Sequence, residues 1–188
     1  MSNDFGSARH WAAEMIAGAL FPGARAIDAT LGNGRDTVRL CELVGEAGRV
    51  CGFDVQIEAV ERTRARLSEA GLLSRAELFC AGHERMAEFV REPADAIVFN
   101  LGWLPGAERA VTTATGTTLS AVSQAIGLLN PGGILTVCVY PGHAEGARER
   151  DALKRWAAAL DPRYDALWKR YLNQRNDPPE LLAVRRKP

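Results

Sequence analysis

The sequence lacks the features that would place it in a membrane or in an oxidising compartment. None of its 188 residues lies in a run of about 18 apolar residues, the minimum for a transmembrane helix. Residues 1–10 are polar and lack the basic-then-apolar pattern of a signal peptide. The cysteines are few and scattered, without a Cys-x-x-Cys pair; they are Cys41, Cys51, Cys80 and Cys138. The sequence therefore predicts a cytoplasmic protein with no membrane partner, whose cysteines are reduced core residues rather than disulfides or zinc ligands.

A net charge of either sign is also absent, but the charge is unevenly distributed. The 23 Lys and Arg residues balance 23 Asp and Glu residues. Residues 148–188 hold 11 basic and 6 acidic side chains, a balance of +5, and residues 1–147 hold the remaining 12 and 17, a balance of −5. A basic C-terminal segment is typical of a protein that contacts a phosphate backbone. It is equally typical of a solvated helix face with a basic tail, and the charge alone leaves both interpretations open.

Strand-like and helical segments alternate along the chain. The predicted strands are 24–29, 49–54, 77–80, 94–101, 134–140, 164–172 and 181–185. The predicted helices are 8–20, a helix that follows the first strand and ends near residue 44, then 57–70, 84–90, 117–129 and 146–160, with Pro-Gly-Gly at 131–133 as a breaker. This order predicts an α/β fold with a doubly wound, mostly parallel seven-stranded sheet and an antiparallel C-terminal strand. We expect it to form a single domain over residues 1–188.

The most informative segment is 28–37, Asp-Ala-Thr-Leu-Gly-Asn-Gly-Arg-Asp-Thr, between the first strand and the next helix. Gly32 and Gly34 would let backbone amides approach a bound molecule closely. The third glycine of the dinucleotide motif Gly-x-Gly-x-x-Gly is absent. Asp28 and Asp36 would repel a diphosphate but could hold a cationic amino-acid group. The loop therefore favours S-adenosylmethionine, which has no phosphate, over NAD. A tight turn without a ligand would not require these carboxylates.

Polar residues follow several predicted strands at the point where each strand ends. Asp54 ends the second strand, where a carboxylate can accept hydrogen bonds from both hydroxyls of a ribose. The others are Gln56 in the same loop, His83 after the third strand, Asn100 after the fourth, and Tyr140 and His143 after the fifth. Doubly wound sheets bind ligands at the carboxyl ends of their strands, so these residues predict one site. We expect His83 in the cofactor pocket, although a lone loop histidine can equally be structural.

The segment Asn100-Leu101-Gly102-Trp103 predicts the acceptor side of this site. It resembles the Asn-Pro-Pro-Tyr corner of amine-directed methyltransferases, where the Asn oxygen holds the amine and the aromatic ring packs on the base. Both prolines are missing here, and a hydrogen-bonded loop Asn beside a packed Trp is the structural alternative. An amine acceptor must also lose a proton. Tyr140 and His143 are candidates for this step, because a histidine titrates near neutral pH. Ordinary placement of His143 in a loop is the structural alternative.

A metal site is not predicted. His10, His83 and His143 are far apart in the sequence and form no His-x-x-x-His or similar ligand spacing.

Six segments together resemble one family of small bacterial proteins, the putative rRNA methylases. They are 28–37, 52–56 (Gly-Phe-Asp-Val-Gln), 82–86 (Gly-His-Glu-Arg-Met), 99–106 (Phe-Asn-Leu-Gly-Trp-Leu-Pro-Gly), 117–119 (Thr-Thr-Leu) and 140–143 (Tyr-Pro-Gly-His). The resemblance extends from residue 24 to 173 and includes the Pro-Pro turn at 178–179. It implies a class I, Rossmann-like methyltransferase. The implied reaction uses S-adenosylmethionine to methylate the amine of 5-aminomethyl-2-thiouridine at the tRNA wobble position, giving 5-methylaminomethyl-2-thiouridine and S-adenosylhomocysteine.

The resemblance also implies roles for individual residues. It places Asp28, Thr30, Gly32, Asn33, Gly34, Asp36, Asp54, Gln56 and His83 at the cofactor, and Asn100 between the cofactor and the acceptor. It places Trp103, Thr117, Thr118, Tyr140 and His143 at the substrate, with the tRNA anticodon region as the partner. The chain departs from the family at Trp103, where Tyr is usual, and at 106–109, where Gly-Ala-Glu-Arg replaces Gly-Gly-Asp-Lys. These departures concern the acceptor loop more than the cofactor site.

Other functions remain open at this point. The chain could methylate rRNA or a small-molecule amine, or it could bind a nucleoside without catalysis. A nucleotide-dependent oxidoreductase is a further alternative, which the missing third glycine opposes, while Asp54 and Asn100 oppose a non-catalytic binder. The sequence leaves open whether the protein forms a homodimer.

Overall fold

A computed structural model describes residues 5–102 and 114–188 of the chain. Its helices are α1 (Ala8–Ala17), α2 (Arg35–Val44), α3 (Ile57–Glu69), α4 (Met86–Phe89), α5 (Thr115–Gly127) and α6 (Ala144–Ala158), with short 3₁₀ turns at Leu73–Arg75 and His83–Arg85. Its strands are β1 (Arg25–Asp28), β2 (Arg49–Asp54), β3 (Ala76–Cys80), β4 (Ala94–Asn100), β5 (Leu129–Val139), β6 (Tyr164–Lys169) and β7 (Glu180–Arg186). Strands and helices alternate as the sequence predicts.

The seven strands form one sheet in the order β3-β2-β1-β4-β5-β7-β6. The first five strands pair in parallel, and β7 is antiparallel to both of its neighbours. The chain moves outward from β1 to β3 and then returns to place β4 on the other side of β1. The strand order therefore reverses between β1 and β4, and a doubly wound sheet opens a ligand crevice at such a point. The predicted doubly wound, mostly parallel sheet is confirmed.

Helices cover both faces of this sheet. Trp11 and Ile16 of α1 pack with Leu40 of α2 in a core on one face. On the opposite face, Met86 of α4 and Leu153 of α6 pack with residues of α5 and with the central strands. Since both faces are covered, the central strands are almost continuously apolar, as in β4 (Ala94–Asn100) and the second half of β5. The sheet is thus held rigidly between two helical layers, and the loops at its carboxyl edge are free to form a site.

The beginning of β5 differs from the prediction. The Pro-Gly-Gly segment at 131–133 was expected to separate a helix ending at 129 from a strand starting at 134, but β5 already begins at Leu129, which pairs with Ala94. The pairing shifts register between Ala94 and Ala96, so the strand absorbs Pro-Gly-Gly as an irregularity. Gly132 has a positive φ of 81° there. The prediction was wrong because a bulge can accommodate residues that normally end a strand.

Two smaller expectations also change. The predicted helix at 84–90 is a 3₁₀ turn followed by the four-residue α4. All four cysteines are free thiols, but only Cys41 and Cys138 are buried, while Cys80 is exposed at the end of β3. Cys80 is therefore not a core residue.

Among the described residues, no helix is long and apolar enough to cross a membrane.

Candidate cofactor and acceptor site

A cavity of about 710 Å³ opens at the carboxyl ends of β1, β2 and β4, where the strand order reverses. Its polar lining residues are Arg9, Thr30, Asn33, Arg35, Asp36, Asp54, Gln56, His83, Glu84, Asn100, Thr117 and Tyr140. Most of the predicted site residues are therefore brought together in one place, although they come from separate parts of the chain. The volume lies within the range of small-molecule sites.

Asp28 has a different position from the one predicted. Its side chain is fully buried beneath the loop; one carboxylate oxygen accepts the Thr30 N–H at 3.1 Å and the other accepts the Thr37 hydroxyl at 2.7 Å. Burial, reinforced by the negative charge of Asp36, raises the pKa of Asp28 to about 7 against the hydrogen bonds, which lower it. Asp28 does not line the cavity. It shapes the loop from below, so we correct its expected direct contact with the cofactor.

The two glycines of the loop also have different tasks. Gly32 lines the cavity and has a positive φ of 53°, which a side chain would disfavour. Gly34 has a φ of 72° and faces α3, where a Cβ atom would lie 2.9 Å from the Cα of Thr63. Gly34 thus permits α2 and α3 to pack closely, and it is not among the residues that line the cavity.

Asp54 holds the loop from the opposite side. One carboxylate oxygen accepts the Gly32 N–H at 3.0 Å, and the other accepts the Gln56 N–H at 3.0 Å. Each oxygen keeps acceptor capacity, since a carboxylate can accept about four hydrogen bonds. Asp54 is only partly buried and lines the cavity, which leaves it able to accept two ribose hydroxyls. Asn33 lines the wall beside this loop, and its Oδ1 accepts a hydrogen bond from Arg62 Nη1 at 2.6 Å.

The wall above β2 and β3 has the character of a base-binding pocket. Phe53 and Val55 contribute apolar surface to it, and His83 lies beside them. The His83 Nδ1 atom is 3.3 Å from the carbonyl oxygen of Ala29, so Nδ1 carries the proton and donates it. Burial lowers the pKa of His83, which favours the neutral ring with Nε2 as an acceptor. His83 therefore lines the cavity, and its contact with the cofactor stays a prediction.

A network of three side chains forms the wall above β1 and β4. Arg9 Nη2 donates to both carboxylate oxygens of Asp36, at 3.0 and 3.2 Å, and Asn100 Nδ2 donates to Asp36 at 2.7 Å. Because an ionised carboxylate only accepts, the amide nitrogen of Asn100 must face Asp36 and its oxygen must face away. The Asn100 N–H also donates to the Thr30 hydroxyl at 2.7 Å.

Arg9 was not predicted as a site residue. It lies on α1, 27 positions before Asp36, in a helix whose apolar spacing indicates only packing on the sheet. The available signal was a cationic residue in the first turn of an amphipathic helix, and many surface helices share that signal.

Tyr140 lines the cavity, but His143 does not. His143 is the N-cap residue of α6, where its Nδ1 accepts the Gly146 N–H at 3.1 Å. We therefore correct its expected role at the substrate, because the ring nitrogen that would take a proton is used to cap a helix. Burial raises the pKa of Tyr140 to about 12, so this phenol stays protonated at neutral pH, where it can donate a hydrogen bond but cannot act as a base.

The two threonines at the start of α5 also separate. Thr117 lines the cavity and is exposed, whereas Thr118 is 1% exposed and donates to Glu149 of α6 at 2.6 Å. Successive helix residues point in different directions, so only one of a Thr-Thr pair can face a given cavity. Thr118 is therefore a packing residue rather than a substrate contact. Trp103 lies outside the described residues.

The lining residues fit S-adenosylmethionine. Three carboxylates, Asp36, Asp54 and Glu84, and two guanidinium groups, Arg9 and Arg35, give the wall a net charge of −1. The cofactor carries a sulfonium, an ammonium and a carboxylate, a net charge of +1. Asp54 would hold the ribose, and the Phe53 side of the cavity would hold the adenine. Among the described residues, the buried Asn100 Oδ1 has no hydrogen-bond partner, so the site contains an unpaired acceptor.

Comparisons with known proteins agree with this geometry. The profile of the family described as Putative rRNA methylase matches residues 50–185. A putative rRNA methylase from Clostridium thermocellum, known from its crystal structure, is 35% identical in sequence to this chain. The two structures superpose with a TM-score of 0.94 over 96% of this chain and 98% of that chain. A putative methyltransferase from Streptococcus mutans, solved in complex with S-adenosylhomocysteine, is 33% identical with a TM-score of 0.88, again over 96% and 98%.

A relative with a more specific description comes from a plant. The chloroplastic tRNA (mnm(5)s(2)U34)-methyltransferase of Arabidopsis thaliana is 37% identical over 148 residues. The match covers 73% of this chain and 54% of the relative, so the chain corresponds to about half the length of that protein.

The family profile covers well over half of the chain, and full-length structural relatives exceed 30% identity. The chain therefore belongs to the putative rRNA methylase family and is an S-adenosylmethionine-dependent methyltransferase.

Proposed function

We propose that this protein methylates the amine of 5-aminomethyl-2-thiouridine at the wobble position of tRNA. The observation that carries the proposal is Asn100, whose amide is fixed by Asp36 and whose buried Oδ1 lacks a partner among the described residues. An unpartnered acceptor suits an N–H donor, such as an amine. The Arabidopsis relative, described as a tRNA (mnm(5)s(2)U34)-methyltransferase, supports the wobble nucleoside as the acceptor.

The bound cofactor supplies a methyl group on its sulfonium, and the protein has to align the acceptor nitrogen with that carbon. Asn100 ends β4, directly beside the switch point, and its backbone is tied to Thr30 and its side chain to Asp36. Such double anchoring lowers the freedom that the amide must lose when it holds a substrate, and accurate positioning is a major source of rate enhancement in group transfer. Tyr140, protonated at neutral pH, is available as a donor to the nucleoside.

The acceptor must reach the site as a neutral amine. An alkylamine has a pKa near 10, so about one molecule in a thousand is uncharged at pH 7. His143 caps α6, and the high pKa of Tyr140 keeps its proton bound, so neither is suited to remove the amine proton. We therefore propose that the site selects the neutral amine from solution. Methylation should then rise with pH through the neutral range.

The basic C-terminal segment supports tRNA as the partner. β5 and β6 are both antiparallel to β7, so they end at the same edge of the sheet, where the cavity opens. The loop after β6 begins there and carries the exposed Arg170 and Arg175. Lys169, the last residue of β6, is partly buried over the ring of Trp11. Cationic side chains beside a nucleoside site can bind the phosphate backbone of RNA.

Nucleoside mass spectrometry of tRNA from a deletion strain tests this function. We expect 5-aminomethyl-2-thiouridine to accumulate at the expense of its methylated form. With purified protein, tRNA that carries the aminomethyl group should be methylated, and matched tRNA with an unmodified wobble uridine should not. Equal methylation of both tRNAs would refute the amine mechanism. The family is described as rRNA methylases, so ribosomal RNA is the second candidate acceptor and is assayed in parallel. Methylation of ribosomal RNA without methylation of tRNA would show that rRNA is the substrate.

A further inference from the structure

Arg9 is the one site residue contributed by α1, and the proposed methyl transfer gives it no task. Its Nη2 atom donates to both oxygens of Asp36, while the described residues offer no partner to its Nε and Nη1 donors. The Arg9 side chain is 49% exposed, and that of Asp36 is 34% exposed. Both residues line the large cavity. The cavity wall thus presents a carboxylate and a guanidinium side by side.

The strand order determines which part of the cofactor meets this pair. Asp54 lies at the end of β2, and Phe53 and His83 lie on the wall above β2 and β3. The ribose and adenine of a bound cofactor would therefore lie above β2 and β3. The remainder of the cofactor must extend across β1 toward β4, because β1 separates β2 from β4 in the sheet. Asp36 and Arg9 lie on that side, joined to Asn100 at the end of β4.

The cofactor's amino-acid end is a zwitterion, with an ammonium and a carboxylate on one carbon atom. We propose that Arg9 binds the carboxylate of S-adenosylmethionine while Asp36 faces its ammonium. The ion pair between Arg9 and Asp36 keeps the two charges at a separation similar to that in the ligand. The guanidinium offers several donors in a planar fork, which suits a carboxylate better than the single charge of a lysine.

Calorimetric titration with three unreactive ligands tests the assignment without any methyl acceptor. S-adenosylhomocysteine has both charges, its decarboxylated analogue keeps only the ammonium, and 5′-methylthioadenosine has neither. We expect Arg9→Gln to lower the affinity ratio of S-adenosylhomocysteine to the decarboxylated analogue about tenfold, as for one charge-assisted contact at a partly exposed site. The affinity for 5′-methylthioadenosine should stay within about twofold of wild type. Arg9→Lys should restore part of the ratio.

Two further variants make the test specific. Arg35→Gln removes the other arginine of the cavity wall, and Arg66→Gln removes an exposed arginine of α3 that does not line it. Arg66→Gln should leave the ratio unchanged, and Arg35→Gln should lower it less than Arg9→Gln does. If Arg9→Gln weakens S-adenosylhomocysteine and its decarboxylated analogue equally, Arg9 only supports Asp36. If it weakens all three ligands equally, or none of them, Arg9 does not bind the amino-acid end of the cofactor. A drop in the ratio for Arg35→Gln alone would transfer the role to Arg35. Because no RNA is present, these outcomes are independent of the proposed acceptor.

Discussion

Replacing Asp54 by Ala should weaken cofactor binding by removing the carboxylate that is expected to hold the ribose. In the protein, the two oxygens of Asp54 each accept one backbone N–H, from Gly32 and Gln56, both at 3.0 Å. These bonds hold the carboxylate at the end of β2 with its remaining lone pairs toward the cavity. The ribose hydroxyls would therefore meet a preorganised acceptor. The substitution removes both hydroxyl contacts together and leaves two backbone donors to water.

The magnitude follows from the chemistry of the lost contact. Hydrogen bonds to a charged group contribute about 1.5–3 kcal/mol, which corresponds to a loss in affinity of roughly 10- to 150-fold. Asp54 is only partly buried, so we expect a value in the lower half of this range. The fold should change little, because the freed N–H groups of Gly32 and Gln56 are themselves only partly buried and can bind water.

Competition against S-adenosylhomocysteine separates ribose recognition from a general disturbance of the loop. Wild-type protein should prefer adenosine to 2′,3′-dideoxyadenosine, and Asp54→Ala should lose this preference. Asp95→Ala is a matched control, since Asp95 also accepts a backbone N–H, that of Arg25 at 2.9 Å, but at the opposite end of the sheet. If Asp54→Ala binds both nucleosides less well while keeping the preference, the ribose contact proposed for Asp54 does not exist.

Three other substitutions have distinct expected results. Asn100→Ala should lower kcat for tRNA methylation about 10²-fold while calorimetry shows a much smaller loss of cofactor affinity; normal turnover would make Asn100 structural. His143→Ala should lower the free energy of unfolding by about 1 kcal/mol, as for a lost N-cap, and leave the pH profile of methylation unchanged; a shifted profile would return His143 to the chemistry. Burial raises the pKa of Asp28 to about 7, so the folded state binds a proton more tightly than the unfolded state. Wild-type stability in urea should therefore fall as pH rises from about 4 to 7, and Asp28→Asn should remove most of this slope.

The helices and strands of the fold could be predicted because most of them show a clear hydrophobic periodicity in the sequence. α3 alternates polar and apolar residues with helical spacing and was predicted within one residue of its end, Glu69. β2 ends at Asp54, as predicted. The beginning of β5 could not be predicted in this way, because the pairing of Leu129 with Ala94 depends on the neighbouring strand rather than on the local sequence. A bulge of this kind is specified by two strands together.

The site was partly predictable for a related reason. Parallel strands bring their carboxyl ends to one edge, so Asp54, Asn100 and Tyr140 could be placed together before the fold was known. The direction of a side chain within a loop or helix start is not available in that way. Thr118 lies in the first turn of α5 and His143 follows β5, so both are close to the site in sequence. The side chain of Thr118 is nevertheless buried against Glu149, and that of His143 caps α6. Arg9 belongs to a helix outside the β-α alternation and gave no positional signal.

The three acidic residues around the glycine turn show how similar sequence signals acquire different tasks. Asp28 is 0% exposed and both of its oxygens accept hydrogen bonds from Thr30 and Thr37, so its carboxyl group acts on the loop rather than on the ligand. Asp54 also accepts two N–H groups but remains open to the cavity, and Asp36 is shared between Arg9 and Asn100. Asp28 differs from the other two in being fully buried. Asp54 differs from Asp36 because its partners are backbone N–H groups, whereas those of Asp36 are side chains. A ligand with a ribose at one end and a zwitterion at the other would use the two carboxylates that line the cavity, Asp54 and Asp36, and the buried Asp28 would keep the loop between them in shape.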